Sequence, residues 1–169
     1  TLAAAHVLFQ HLGYVNQQIT FTTKSGELIV TKVDSGYSMD FPAYPLEKIA
    51  PPPSLLKGIG AYQPKAIMAA FDYIVVLNSV EEVLKVTPDF SSLMELDRRG
   101  VVITAQGDDV DFVSRCFYPK LRVNEDPITG SAHCELTPYW AEQLNKTQLS
   151  ARQLSKRSGL IECQLVNDR

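Results

Sequence analysis

Five prolines stand in the twelve residues from Pro42 to Pro53, and no other feature of this 169-residue chain restricts its folding as much. Proline lacks the amide hydrogen on which helix interiors and inner strands depend, so neither element passes through the run intact. Proline-rich stiffness is instead a common composition for an interdomain connector. The boundary is placed near Ala50, with one domain over 1–50 and a second over 51–169.

The first segment opens in helix. Thr1 to Leu12 carries Ala3, Ala4, Ala5, Val7, Leu8 and Leu12 with almost no charge, a pattern apolar on most of its circumference, as in a helix enclosed by other elements. Gly13 stops it. An ammonium group on Thr1 would face the positive end of that helix, which the dipole disfavours, so further sequence is expected upstream. Gln18 to Thr23, Leu28 to Val33 and Tyr37 to Phe41 follow as strands. The turn signals Lys24-Ser25-Gly26 and Asp34-Ser35-Gly36 separate them, which predicts an antiparallel meander.

Beyond the connector, Ser54 to Gly58 reads as a helical turn and Tyr73 to Leu77 as a strand buried on both faces. Ser79 and Glu82 have capping-box spacing for a helix through Lys85. Thr87 and Pro88 predict the cap and first position of another helix, running to Arg99 and stopped by Gly100. Val101 to Ala105 and Val110 to Tyr118 read as strands around a turn at Gln106 to Asp109, and Leu160 to Val166 as the last strand.

The chemistry concentrates in Asn124 to Cys134, where two carboxylates, a proline and a small-residue helix start share eleven positions. Pro127 holds Asp126 out of helix. Ala132, Leu136, Tyr139, Trp140 and Leu144 then keep helical spacing, so a helix begins near Gly130. Its first amides lack intrahelical partners and carry the positive dipole end, which suits a carboxylate. Gly130 and Ser131 are the candidate binding residues and Asp126 the candidate catalytic one, able to polarise a hydroxyl or amino group or assist proton movement. The plainer alternative is that Glu125 and Asp126 cap a turn and the helix start binds only water.

Neighbouring residues read as structural. His133 and Cys134 point about 100° apart on a helix and cannot pair, so both are expected to pack. Pro138 is expected to kink the helix, Tyr139 and Trp140 to be core or interface aromatics, and Arg115, Lys120 and Arg122 to line an exposed strand face and its exit. Gly-Ser-Ala lacks the surroundings of a seryl nucleophile.

Composition removes several function classes. A net charge of −3 gives no electrostatic reason to bind nucleic acid or an anionic membrane. No apolar run approaches the roughly 20 residues that span a bilayer. Three separated cysteines make no disulfide framework, and three histidines form no zinc pattern. Neither a metal nor any other cofactor is expected, and the predicted location is the cytoplasm.

Glu125-Asp-Pro-Ile-Thr-Gly-Ser-Ala-His133, continued by Leu136-Thr-Pro-Tyr-Trp140, resembles the second-domain signature of the phenazine-biosynthesis F-protein (PhzF-like) family, relatives of diaminopimelate epimerase. Asp72 to Leu77, Arg99 to Ala105, Asp111 to Arg115 and Gln153 to Arg157 resemble further family segments in order. The resemblance implies an α+β fold of two similar domains, each a curved, mostly antiparallel sheet around a central helix, with the first domain incomplete here. It also implies a homodimer and a cleft in which a glutamate upstream of Thr1 moves a proton without a cofactor, Asp126 lining the pocket beside it. A missing N-terminal segment or a companion chain is expected to complete the site, and a closing strand to follow Arg169. Two functions follow: an isomerase or epimerase of a small carboxylate-bearing amino or hydroxy acid, or a non-catalytic small-molecule-binding or interaction protein that keeps the fold without the acid/base.

Overall fold

The computed structural model describes residues 1–23, 26–60 and 62–169. The first two residues of the predicted Lys24-Ser25-Gly26 turn lie outside them. The chain forms two compact units, Thr1–Pro42 with Arg169, and Ala43–Asp168.

The first unit contains helix α1 (Leu2–Gln10) and strands β1 (Gln18–Thr23), β2 (Gly26–Val33) and β3 (Gly36–Asp40), paired antiparallel in that order. The meander is as expected. Ala5 and Phe9 of α1 meet Ile19 and Val30 in a small core. Within this chain α1 is not enclosed, because Leu2 and Val7 on its other side are exposed.

The second unit is built on an eight-stranded sheet. Its strands are β4 (Glu47–Lys48), β5 (Ala66–Ala69), β6 (Tyr73–Val76), β7 (Val101–Gln106), β8 (Phe112–Tyr118), β9 (Val123–Asp126), β10 (Gln148–Gln153) and β11 (Gly159–Gln164). The order is β11-β10-β8-β7-β6-β5-β4, with β9 beside β8. Among the described residues only the β6·β7 and β10·β8 pairs are parallel. Sequence analysis missed β4, β5, β9 and β10, which are short or carry interrupting polar residues.

Alternation along the strands feeds two cores. Ile74, Val76, Val102, Phe112 and Cys116 face helix α5 (Gly130–Leu144), where Ala132, Leu136 and Trp140 receive them. Tyr73, Val75, Ile103, Val113 and Phe117 face the opposite side, covered by α2 (Pro53–Ile59), α3 (Val80–Lys85) and α4 (Phe90–Met94). β6 is therefore apolar at every position, as a strand between two layers must be.

Three expectations need correction. Thr87 and Pro88 do not start a long helix: α4 begins at Phe90, where the Asp89 carboxylate accepts from the Ser91 and Ser92 amides. The chain beyond Met94 leaves the helix, and Arg98 and Arg99 bond to Ala70 and Asp72. Ser79 does accept from the Glu82 amide, but the Glu82 carboxylate takes the Asn78 amide, one residue before the cap, so the box is not closed on itself. Arg115 does not lie on an exposed face. Its side chain is 13 % exposed, bidentate to Glu125, and bonded through Nη1 to the Val83 and Val86 carbonyls at the end of α3.

α5 runs unbroken through Pro138. Pro138 has no amide to give the Cys134 carbonyl four residues back. That carbonyl instead accepts from the Tyr44 amide at 2.9 Å. The lost helical bond is replaced by one that ties the connector to α5.

Candidate functional site

The β9 to α5 turn is shaped by one buried side chain. Gln153 is inward-facing on β10, in step with Leu149 and Ala151, and fully buried. Its Oε1 accepts from the Thr129 amide at 2.8 Å, and its Nε2 donates to the Asp126 carbonyl at 2.6 Å and to Thr129 Oγ1 at 3.2 Å. A primary amide, with an acceptor oxygen and a donor nitrogen on one rigid uncharged group, satisfies a donor and an acceptor of the same turn together. Ser155 Oγ adds a bond to the Pro127 carbonyl.

With the turn fixed, Asp126 and the helix start come together as the motif predicts. Thr129 occupies the cap position but does not cap the helix. Its hydroxyl donates to Asp126 Oδ2 at 2.6 Å, which leaves Oδ1 without a partner among the described residues. Nothing else takes Thr129's place: no oxygen among the described residues accepts from the Gly130 or Ser131 amide. Space stands open before Gly130, where an added Cβ would meet no atom within 4 Å. Both residues are exposed, and Asp126 is half-buried.

Asp126, Thr129 and Ser131 line a concavity of about 200 Å³ with Arg99, Tyr118, Leu121 and Val123. Gly130, the first residue of α5, stands between Thr129 and Ser131 along the chain. Glu125, the other carboxylate of the motif, points away to Arg115 and is structural. A larger hollow of about 470 Å³ opens where Glu125 and Pro127 face Ser155, Lys156 and Arg157. The smaller one is the candidate site, because Asp126 and Ser131 line it and neither lines the larger one.

Sequence reasoning missed Arg99 and Tyr118. Asp72 is fully buried and accepts from Arg99 Nε at 3.0 Å, Arg99 Nη2 at 2.6 Å and Tyr118 Oη at 3.0 Å. The Arg99 guanidinium lies 5.2 Å from the centre of the Tyr118 ring. Its charge is held above all by the Asp72 hydrogen bonds, and burial holds the Tyr118 hydroxyl protonated. Glu135 Oε1 accepts from the Phe71 and Asp72 amides, while Oε2 has no partner among the described residues. Burial, with Asp72 beside it, pushes the Glu135 carboxyl up to about 7. The available signal was Asp72 itself, an acid at the head of an apolar strand, which demands a basic partner once buried.

His133 donates or accepts through Nδ1 at the Thr129 carbonyl, 2.8 Å away, and burial lowers its pKa, so it is a packed histidine. Burial pushes Cys134 up to about 11, which opposes thiolate chemistry at the helix start. Among the described residues no group of three or more His, Cys, Asp or Glu side chains is arranged to hold a metal ion, and no helix is long and apolar enough to cross a membrane.

The whole of 1–169 matches the family described as phenazine biosynthesis-like protein, PhzC-PhzF. The chain belongs to that family. A PhzF-family crystal structure from Enterococcus faecalis superposes with a TM-score of 0.93 at 45% identity, over 99% of this chain and 64% of the other. Proteins named uncharacterized isomerases are similar as well. One from Pseudomonas aeruginosa is 43% identical and one from Halalkalibacterium halodurans 41%, each over 100% of this chain. The chain spans 65% of the length of these two curated relatives. The expected α+β, epimerase-like fold is thus the fold of this PhzF-like chain.

Proposed function

We propose that the whole protein is a cofactor-independent isomerase that moves a proton on a small carboxylate-bearing amino or hydroxy acid. The observation that carries this reading is the pair of unoccupied amides at Gly130 and Ser131, open to approach and set beside a carboxylate with one free oxygen. Helix-start amides bind an anion without the reorganisation that mobile side chains require. Ser131 Oγ adds a donor. With the substrate carboxylate held there, Asp126 Oδ1 accepts from a hydroxyl or amino group and fixes the ligand's rotation. Membership of a family whose relatives are named isomerases supports the reaction class. The proton acceptor at carbon is assigned to a part of the protein outside residues 1–169, because among the described residues Asp126 is the only carboxylate lining this concavity.

The test is exchange from solvent. Full-length protein in deuterium oxide is incubated with a panel of amino and hydroxy acids, and label at carbon is read by mass spectrometry. Incorporation into at least one compound is expected, with Asp126→Asn slowing it by roughly 10²- to 10⁴-fold. Exchange that is unaffected by Asp126→Asn sinks the assigned role. Binding of acids at the Gly130 amide without exchange in any of them selects the binding-protein alternative.

A further inference from the structure

Arg99 is partly exposed, at 34 % of its side chain, and lines the same concavity as Asp126 and Ser131. Its inner edge, Nε and Nη2, is spent on Asp72. Nη1 donates to no acceptor among the described residues. A guanidinium carries five donors in a rigid plane, so an inner edge that is locked makes the outer edge a fixed recognition element. Tyr118 holds the plane from one side through its ring and hydrogen-bonds the same Asp72 oxygen. Gly100 makes this arrangement possible, since an added Cβ there would fall 2.2 Å from the Tyr118 ring.

We propose that Arg99 is a specificity-determining residue that reads a second anionic group, so that the preferred substrate is an amino or hydroxy acid with two carboxylates. This rests on the anion site proposed for Gly130 and Ser131. The placement sorts the ligand's groups by charge. Asp126 repels any anion near it and takes the amino or hydroxyl group, the helix amides take one carboxylate, and the Nη1 edge takes the other. Leu121 and Val123 supply an apolar wall for the carbons between them. A volume of about 200 Å³ corresponds to roughly seven waters at about 30 Å³ each, enough for a short dicarboxylate. Asp72 does not cancel this role. It offsets the distant charge of Arg99, but the directed N–H donors remain.

Full-length protein labelled with nitrogen-15 is titrated with propionate and with succinate while the Gly130 and Ser131 amides and the Arg99 guanidinium are followed by NMR. Propionate shifts the two amides only. Succinate shifts the amides and Arg99 and binds about tenfold more tightly or better, as a charge-assisted hydrogen bond provides. Arg99→Lys keeps a cation for Asp72 without an outer planar edge, and reduces the advantage of succinate over propionate below about threefold. Should that variant fail to fold, the pair Asp72→Asn with Arg99→Gln removes both buried charges together and carries the same expectation. Equal affinities in the unaltered protein, a silent Arg99 resonance, or a preference retained in the variant overturns the assignment and leaves the anion site standing. Propionate that moves neither amide overturns both.

Discussion

Gln153 decides the shape of the turn from Asp126 to Thr129 without lining the concavity itself. Replacing it by Leu keeps the volume and removes three hydrogen bonds, leaving the Thr129 amide buried and unpaired. Each such orphan costs about 1–3 kcal/mol. Gln153→Leu is expected to lower stability by about that much in urea titration and to speed hydrogen exchange at Thr129. Gly130 gives the opposite combination. Its φ is not positive and nothing stands where a Cβ would go, so Gly130→Ala fits the helix and raises stability by about 0.4–1 kcal/mol. The same methyl occupies the space through which a carboxylate reaches the amide, and ligand affinity is expected to fall at least tenfold. A variant that is more stable and weaker binding separates the site from the fold, whereas unchanged affinity places the ligand elsewhere. The placement of Asp126 beside the helix start at Gly130 and Ser131 was legible because it follows from order along the chain. Arg99 and Tyr118 were not, because they stand 27 and 46 residues from the Asp72 that organises them.

At the scale of elements, Pro138 and Asp89 show how local signals are redirected by neighbours. The proline leaves the Cys134 carbonyl without a helical donor, and Tyr44 supplies one from outside the helix. Pro138→Ala offers that carbonyl a competing donor, so faster exchange of the Tyr44 amide is expected with α5 intact. Unchanged protection would mean that the two donors do not compete. Asp89, and not Thr87, ends the connection into α4, and Asp89→Ala is expected to cost about 0.5–2 kcal/mol, measured against Thr87→Ala, which is close to neutral. Sequence placed a helix here correctly but began it too early and ran it too far. Thr87-Pro88 and Asp89 are equally good starts, and the choice between them was made by packing of Leu93 into the core and by Arg99 turning toward Asp72. Tyr73 to Val76 was legible for the contrary reason. An uninterrupted β-branched run has few places to go except between two layers.

Over the whole molecule, the buried Glu135 makes stability depend on pH near neutrality. Its folded value, about 7, lies above the ordinary 4.5, so between these values the native state binds more protons than the unfolded chain. Stability from this group is complete below about pH 4.5 and is lost as pH rises through about 7. Asp111 acts in the other direction. The Lys146 ion pair and the Ser150 amide lower its pKa, so its contribution is present above the ordinary carboxylate range and lost on acidification. Thermal midpoints are expected to decline from pH 5 to pH 8, and Glu135→Gln, neutral and near in shape, is expected to flatten that decline. A slope unchanged in the variant would locate the titration in another group.

The order of residues alone determined the meander, the buried strand at Tyr73, the helix opening at Gly130 with its aspartate, and the family, since each depends on spacings within a few positions or on a contiguous motif. Only the tertiary structure decided that Gln153 braces the turn, that Arg99 lines the same concavity as Asp126, and that Glu135 is buried near Asp72. Those three depend on contacts between strands and helices distant along the chain, where burial sets how much each polar group gains from its partner.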